Sequence, residues 1–136
     1  LRDEHVRALA GVHTIDLCDC GGVTDVGVAA LAGAHTVCLE SLPCVSDAGL
    51  AALAGVRVMS LRAMPQITDT GVRALAGVHT FRLHSPPECV TISGLCGLAG
   101  VHTLIIEDLD TDDDVFGADT LAALVGVHTF SLRNCF

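Results

Sequence analysis

The sequence predicts an α/β solenoid, a right-handed stack of short strand–helix units with a parallel sheet on its concave side and short helices on its convex side. The first observation is repetition, because near-copies of one phrase begin at Leu9, Leu31, Leu53, Leu75, Leu98 and Leu124. A fixed period in the low twenties is typical of solenoid proteins. The second observation is that a strand-type apolar pattern and a helix-type apolar pattern alternate inside the units.

Each unit contains a predicted strand. In "VHTIDLCDC", residues Val12, Ile15, Leu17 and Cys20 stand in a V-x-x-I-x-L-x-x-C frame that returns in the other units. The alternation of Ile15 and Leu17 with polar residues is typical of a strand with one buried face. We expect the sixth frame position to form one buried column, made of Leu17, Leu39, Leu61, Leu83, Ile106 and Leu132.

A predicted helix forms the other half of each unit. The phrases "VTDVGVAALAG" (23–33), "VSDAGLAALAG" (45–55) and "ITDTGVRALAG" (67–77) share one layout. A Thr or Ser in the second place suits an N-cap, and the Asp after it suits the positive end of the helix. The closing glycine suits a left-handed C-cap. These residues are Thr24, Ser46 and Thr68 at the caps, and Gly33, Gly55 and Gly77 at the ends.

The in-register L-x-x-L-x-L-x-x-N/C frames resemble the leucine-rich-repeat family over the whole chain. The "VTD.GV" and "ITD.GV" phrases, with Cys20 and Cys135 at the last frame position, are similar to the cysteine-containing subclass of F-box substrate-receptor arms. The short unit and the variable last position depart from that subclass. The resemblance implies a module that binds a protein partner on its concave face. No catalytic triad or phosphate-binding loop stands out from the repeats, so we predict neither an enzyme nor a cofactor.

The whole chain, residues 1–136, is expected to be one array. It starts in mid-unit, because "LRDEHVRA" aligns with "VTDVGVAA", and it ends just after a strand. Solenoids normally need polar caps, and none stands at either end. We therefore expect a segment of a longer array, or one whose ends contact other chains. The alternative function is accordingly a structural segment that stacks end to end in a larger assembly.

Composition and charge exclude several classes of partner. The formal charge is −9, and all seven basic residues are arginines. Nucleic acids and anionic membrane surfaces require clustered cations that such a chain lacks. No apolar run approaches the roughly 18 residues of a membrane span. Seven cysteines at unequal places in the repeat predict reduced thiols that serve as small core hydrophobes in the cytoplasm, without a structural disulfide.

A histidine precedes most of the predicted strands, and Arg57 takes its place in one unit. The column consists of His13, His35, His79, His102 and His128. Neighbouring strands should place successive copies about 5 Å apart. A straight ladder offers one ligand per layer and not a tetrahedral cluster. We therefore predict side chains that satisfy backbone groups in the turn, with no metal site.

The outward strand positions form the predicted partner-binding surface. One outward row reads Asp16, Cys38, Ser60, Arg82, Ile105 and Ser131. Arg62, Arg82 and His84 form the only basic cluster on this acidic chain, so they predict a site for an acidic partner segment. The wider surface adds three charged residues, Glu40, Glu107 and Arg133. The alternative is that glutamate–arginine pairs on adjacent strands satisfy each other.

The segment "EDLDTDDDVFGAD" (107–119) holds the extra residues of the array and seven carboxylates. Five aspartates occupy EF-hand ligand positions, namely Asp108, Asp110, Asp112, Asp114 and Asp119. Asp113 stands where an EF-hand turn needs glycine, and flanking helices are absent. Two interpretations remain open, a calcium site and a solvated acidic loop that offers a second interface.

Overall fold

A computed structural model describes residues 1–109 and 118–135 of the chain. In these ranges six parallel strands form one sheet in sequence order, and a short helix precedes each strand. The strands are β1 (Thr14–Cys18), β2 (Thr36–Glu40), β3 (Val58–Arg62), β4 (Thr80–His84), β5 (Thr103–Glu107) and β6 (Thr129–Arg133). The helices are α1 (Asp3–Arg7), α2 (Asp25–Ala29), α3 (Asp47–Ala52), α4 (Asp69–Ala74), α5 (Ile92–Cys96) and α6 (Ala118–Ala123). The predicted α/β solenoid is confirmed.

The strand register repeats from unit to unit. Leu39 pairs with Leu17 on one side and with Leu61 on the other. In β1 to β5 the second and fourth residues are buried, whereas the first, third and fifth are turned outward. We call the surface formed by the first, third and fifth residues of the strands the outer sheet face. The predicted alternation is therefore the observed one.

The predicted core column is buried except at its last member. Leu17, Leu39, Leu61, Leu83 and Ile106 are all less than 5% exposed, as the frame predicts. Leu132 is 37% exposed, so its prediction as a buried residue is wrong. The reason is positional, because β6 lies at the edge of the described sheet and pairs there only with β5.

The cysteines contribute less to the core than predicted. All seven lie in the described ranges as free thiols, and none is fully buried. Cys20 and Cys135 pack partly against the core, whereas Cys18 and Cys38 stand at outward strand positions. The prediction of core cysteines is therefore wrong. The side chains of Met59 and Phe81 are fully buried instead.

A ladder of aspartates and hydroxyls joins the helices of successive units. The predicted N-caps are confirmed, and each cap hydroxyl accepts a hydrogen bond from the amide two residues later. Thr68 also donates twice to the preceding unit, from its amide to Asp47 Oδ1 at 2.8 Å and from its hydroxyl to Asp47 Oδ2 at 2.5 Å. The same double contact joins Asp3 with Thr24, Asp25 with Ser46, and Asp69 with Thr91. Each aspartate thus connects two units.

A glycine in each of four helices makes room for this ladder. A Cβ at Gly27, Gly49, Gly71 or Gly94 would collide with the carboxylate of the aspartate one unit earlier. Helix α5 carries Ile92 at the first helical position, where α1 to α4 carry aspartate. The ladder therefore does not continue from α5.

The residues that adopt a left-handed backbone conformation differ from the predicted ones. Gly33, Gly55 and Gly77 do not have positive φ, so the predicted left-handed helix ends are wrong. The residue after each strand has φ between 47° and 53° instead, at Asp19, Ser41, Ala63, Ser85, Asp108 and Asn134. The amide of Ser41 donates to the carbonyl of Arg62 at 3.1 Å, and four other members make the same bond to the next strand. The left-handed turn therefore serves the strand end in every unit, and among the described closing glycines only Gly11, after α1, has a positive φ, of 89°.

We expect the stability contributed by Asp3 to disappear in acid. The Thr24 hydroxyl, and then the Thr24 amide, donate to the carboxylate and lower the pKa of Asp3 below its ordinary value of 3.8. A carboxylate with a lower pKa in the folded state stabilises the fold above the unfolded-state pKa, and this effect is lost as the pH falls through the folded-state pKa. Asp3→Asn should therefore unfold at lower urea concentration than the parent at neutral pH, with a difference that shrinks below pH 3.8. Urea titrations with an equal difference at both pH values would contradict this.

Candidate functional site

The outer sheet face contains a depression of about 290 Å³. Strands β1 to β5 all contribute to its lining, which consists of Asp16, Cys38, Leu39, Glu40, Ser60, Arg62, Arg82, His84 and Glu107. Five of the six residues predicted for partner binding are among them. The sixth, Arg133, lies on β6 outside the depression.

The depression arises from the order of side-chain sizes along one row. In-register parallel pairing places Asp16, Cys38, Ser60 and Arg82 side by side across β1 to β4. Cys38 and Ser60 are short and half-buried, whereas Arg82 is long and exposed. The row is therefore low in its middle, between a carboxylate at one end and a guanidinium at the other.

Two arginines have partners within the sheet. Arg62 Nε lies 3.4 Å from Glu40 Oε1, and Arg133 Nη1 donates to Glu107 Oε1 at 3.0 Å. These are the adjacent-strand pairs that the sequence indicated. Exposed pairs of this kind contribute only about 0.2–1 kcal/mol. Arg62 is thus partnered, although its side chain remains 53% exposed.

His84 faces a carboxylate that follows β5. Its Nδ1 lies 3.1 Å from Asp108 Oδ2, but this buried nitrogen has no partner with hydrogen-bond geometry. Asp108 is the first residue of the EF-hand count, and its carboxylate lies beside His84. Residues Asp110, Asp112 and Asp114 lie outside the described ranges, so the calcium interpretation stays a prediction.

Arg82 differs from the other basic residues of the site, because it forms no ion pair within residues 1–109 and 118–135. Its register partners, Ser60 and Ile105, are uncharged. The thiol of Cys38 lies between Arg82 and Asp16 in the row. Partial burial first, and then the Asp16 carboxylate, raise the pKa of this thiol, whereas the Arg82 guanidinium opposes that effect.

The thiols of the outer sheet face are not activated nucleophiles. Desolvation raises the pKa of Cys18, and so do the hydrogen bond that its Sγ donates to Asp19 and the nearby carboxylates. The pKa of Cys38 is raised as well. A thiol with a raised pKa stays protonated at neutral pH and reacts slowly. The raised pKa makes both thiols poorer nucleophiles at neutral pH than an ordinary cysteine.

The histidine column consists of stacked rings. His13 and His35 have ring centroids 4.5 Å apart, as do His79 and His102, and His128 continues the second stack at 4.7 Å. This spacing confirms the predicted ladder. The predicted backbone partner of the side chain is wrong, because ring Nδ1 contacts the hydroxyl of the following threonine in four of the units.

In the described ranges no three His, Cys, Asp or Glu side chains lie close enough together to hold a metal ion. Among the same residues, the helices are too short and insufficiently apolar to span a bilayer.

Comparison with known proteins identifies a relative in structure only. No protein-family model matches the chain, and no curated protein matches it. The structure is similar to the crystal structure of internalin C2 from Listeria monocytogenes, with a TM-score of 0.58, 24% identity and 93% of this chain covered. The chain spans about half of that protein, 55% of its length. This likeness shows a leucine-rich-repeat fold, and the F-box subclass stays a prediction.

Proposed function

We propose that the chain is a non-enzymatic recognition module that binds an acidic segment of a partner protein on the outer sheet face, around Arg82. Leucine-rich-repeat folds are interaction modules in general, and the location of the site is our inference. Arg82 carries the proposal, because its exposed guanidinium lines the depression without an ion pair in the described structure. On a chain of net charge −9, such a cation attracts a carboxylate against the general repulsion.

Arg62 and His84 enlarge this basic surface. They are register partners on β3 and β4, and both line the depression beside Arg82. The contact of Arg62 with Glu40 is exposed and weak, so a partner carboxylate can replace Glu40 at little cost. A guanidinium that donates two parallel hydrogen bonds to a carboxylate also orients the bound segment. Arg62 and Arg82 therefore supply direction as well as charge.

Selection of peptides from a random display library tests the proposal. Peptides that bind the parent chain should be enriched in Asp and Glu. Arg62→Ala/Arg82→Ala should weaken their binding more than about tenfold without a change in melting temperature, because the variant removes the two guanidinium contacts. The control is Arg73→Ala, which removes a positive charge from α4, away from the sheet.

Two results would contradict this proposal. If Arg73→Ala weakens binding as much as Arg82→Ala alone, the effect comes from net charge and not from a site on the sheet. If binding is unchanged in the double variant, the interface lies elsewhere, and the acidic segment 107–119 is the next surface to test.

Exposed apolar side chains near β6 favour a second candidate function, end-to-end stacking in a larger assembly. Leu132 is 37% exposed and Val125 is 88% exposed. A further unit packed against β6 would cover Leu132. Light scattering over a concentration series separates the two functions. The mean mass of a stacking array rises with concentration without saturation, whereas the mass of a monomeric recognition module stays constant.

A further inference from the structure

We infer that the outer sheet face binds an extended segment of mixed charge, with a cationic side chain over Asp16 and an anionic side chain over Arg82. This inference rests on the proposed recognition function and specifies its partner. It assigns to Asp16 a role equal to that of Arg82, although the sequence indicated Asp16 only as a member of the outward row and not as one of the charged residues of the predicted site.

The two ends of the row carry opposite charges that do not meet. Asp16 on β1 and Arg82 on β4 are both exposed, and neither forms an ion pair within the described ranges. Cys38 and Ser60 separate them, and both of these side chains are short and uncharged. Burial and then the Asp16 carboxylate raise the pKa of the Cys38 thiol, whereas the Arg82 guanidinium lowers it. The row is therefore a dipole whose two poles lack internal partners.

Other charges stand near each pole. Near β1, desolvation and then the Asp19 and Asp16 carboxylates raise the pKa of the Cys18 thiol, so this end of the row is acidic. Near β4, Arg62 and His84 line the depression beside Arg82, but Arg62 faces Glu40 and His84 faces Asp108, so Arg82 is the cation of this pole that has no such contact in the described ranges. A segment with only acidic residues would gain at the Arg82 pole and be repelled at the Asp16 pole.

The distance between the poles indicates the spacing of charges in the segment. Three strand spacings of about 4.8 Å separate β1 from β4, or about 14 Å between backbones. An extended chain covers that distance in about four residues, and an even number places both side chains on the same face. A helix returns to the same face after about 7 or 11 residues, at about 10 or 16 Å, so neither spacing matches.

Three synthetic glycine–serine peptides test the inference by fluorescence anisotropy at low salt. Each carries two charged residues four positions apart, namely Lys and Glu, two Glu, or two Lys. The Lys/Glu peptide should bind the parent chain up to about fivefold more tightly than either of the others, because each mispaired pole loses about one exposed ion pair. Net charge alone predicts another order, with the two-Lys peptide tightest on a chain of charge −9.

Charge reversal of one pole at a time is the second measurement. Asp16→Lys should shift the preference to the two-Glu peptide, and Arg82→Glu should shift it to the two-Lys peptide. Melting temperatures identify any variant that is not folded. If a charge-reversal variant is not folded, the milder variant Asp16→Asn or Arg82→Gln takes its place. Each milder variant should remove the preference for the Lys/Glu peptide without reversing it.

The outcomes distinguish this inference from the recognition function on which it rests. If the two-Glu peptide binds the parent best and Arg82→Glu abolishes that binding, the recognition function stands and the mixed-charge inference is overturned. If the two-Lys peptide binds best, net charge governs binding and the inference is overturned. If no peptide depends on Asp16 or Arg82, both proposals fail.

Discussion

Leu61→Ala is expected to lower the free energy of unfolding by about 2–5 kcal/mol, because it opens a cavity in a central layer of the solenoid. Leu61 is fully buried on β3, between its register partners Leu39 and Leu83. The neighbouring units are each held by their own strand pairing and helix ladder, so they collapse only partly into the space. Urea unfolding followed by circular dichroism measures the loss.

Leu132→Ala is the matched control for this prediction. It removes the same atoms at the same frame position, but Leu132 is 37% exposed on the last strand of the described sheet. The loss should be less than about half of that at Leu61, since less apolar surface returns to water and no closed cavity forms. Equal losses at the two positions would show that burial in a central layer does not set the cost.

Much of the fold was predictable because its signals are local. The V-x-x-I-x-L frame is a short alternation that specifies a strand and its buried face, and the Thr or Ser before each helix specifies an N-cap. Repetition then aligns all units, so the parallel order of the sheet follows without a topology search. The one error in the core column, Leu132, comes from the position of its strand at the edge of the described sheet and not from its local pattern.

The connections between units were not predictable in the same way. The aspartate after each cap was assigned to the dipole of its own helix, since that interaction is local. Its hydroxyl partner lies one unit later, and only the observed stacking brings Asp47 to Thr68. A signal was nevertheless present, because glycine stands two residues after the ladder aspartates Asp25, Asp47 and Asp69, and glycine inside a helix lowers its stability by about 1 kcal/mol relative to alanine. A recurring glycine inside a helix indicates a close contact.

The left-handed turns also had a signal in the sequence. Glycine is the usual residue at positive φ, and on that ground Gly33, Gly55 and Gly77 were predicted to be left-handed. The residues that adopt this conformation include Asp19, Asp108 and Asn134, and Asp and Asn tolerate it better than other residues with a Cβ. A column rich in small and polar residues directly after a strand was therefore the informative pattern.

The candidate site could be placed on the sheet from the sequence, but its pairing could not. Strand alternation predicted which charged side chains point outward, and the register predicted which of them are neighbours. Whether Arg62 and Arg82 are partnered depends on side-chain reach between strands. Arg62 contacts Glu40, whereas Arg82 stands beside uncharged residues. Because Arg82 forms no ion pair in the described ranges, it and Asp16 at the other end of its row are the charged side chains that we expect to contact a partner.

Gly71→Ala is expected to lower the free energy of unfolding by at least about 2 kcal/mol, although alanine is the better helix former. An added Cβ would collide with Asp47 Oδ1 and would lie 3.0 Å from Asp47 Cγ and 3.2 Å from Asp47 Cα. The backbone atom cannot move without shifting α3, so the carboxylate must leave its two hydrogen bonds to Thr68. Both packing and a charge-assisted contact between units are then lost.

Gly55→Ala and a double variant make this last prediction specific to the ladder. Gly55 has open space around its Cβ direction and no positive φ, so alanine there should leave stability unchanged or raise it by about 0.4–1 kcal/mol. In an Asp47→Ala background, Gly71→Ala should be less destabilising, because the carboxylate that excludes its side chain is gone. An equal loss in both backgrounds, measured by urea unfolding, would mean that the close approach of Asp47 is not what requires glycine in the helix.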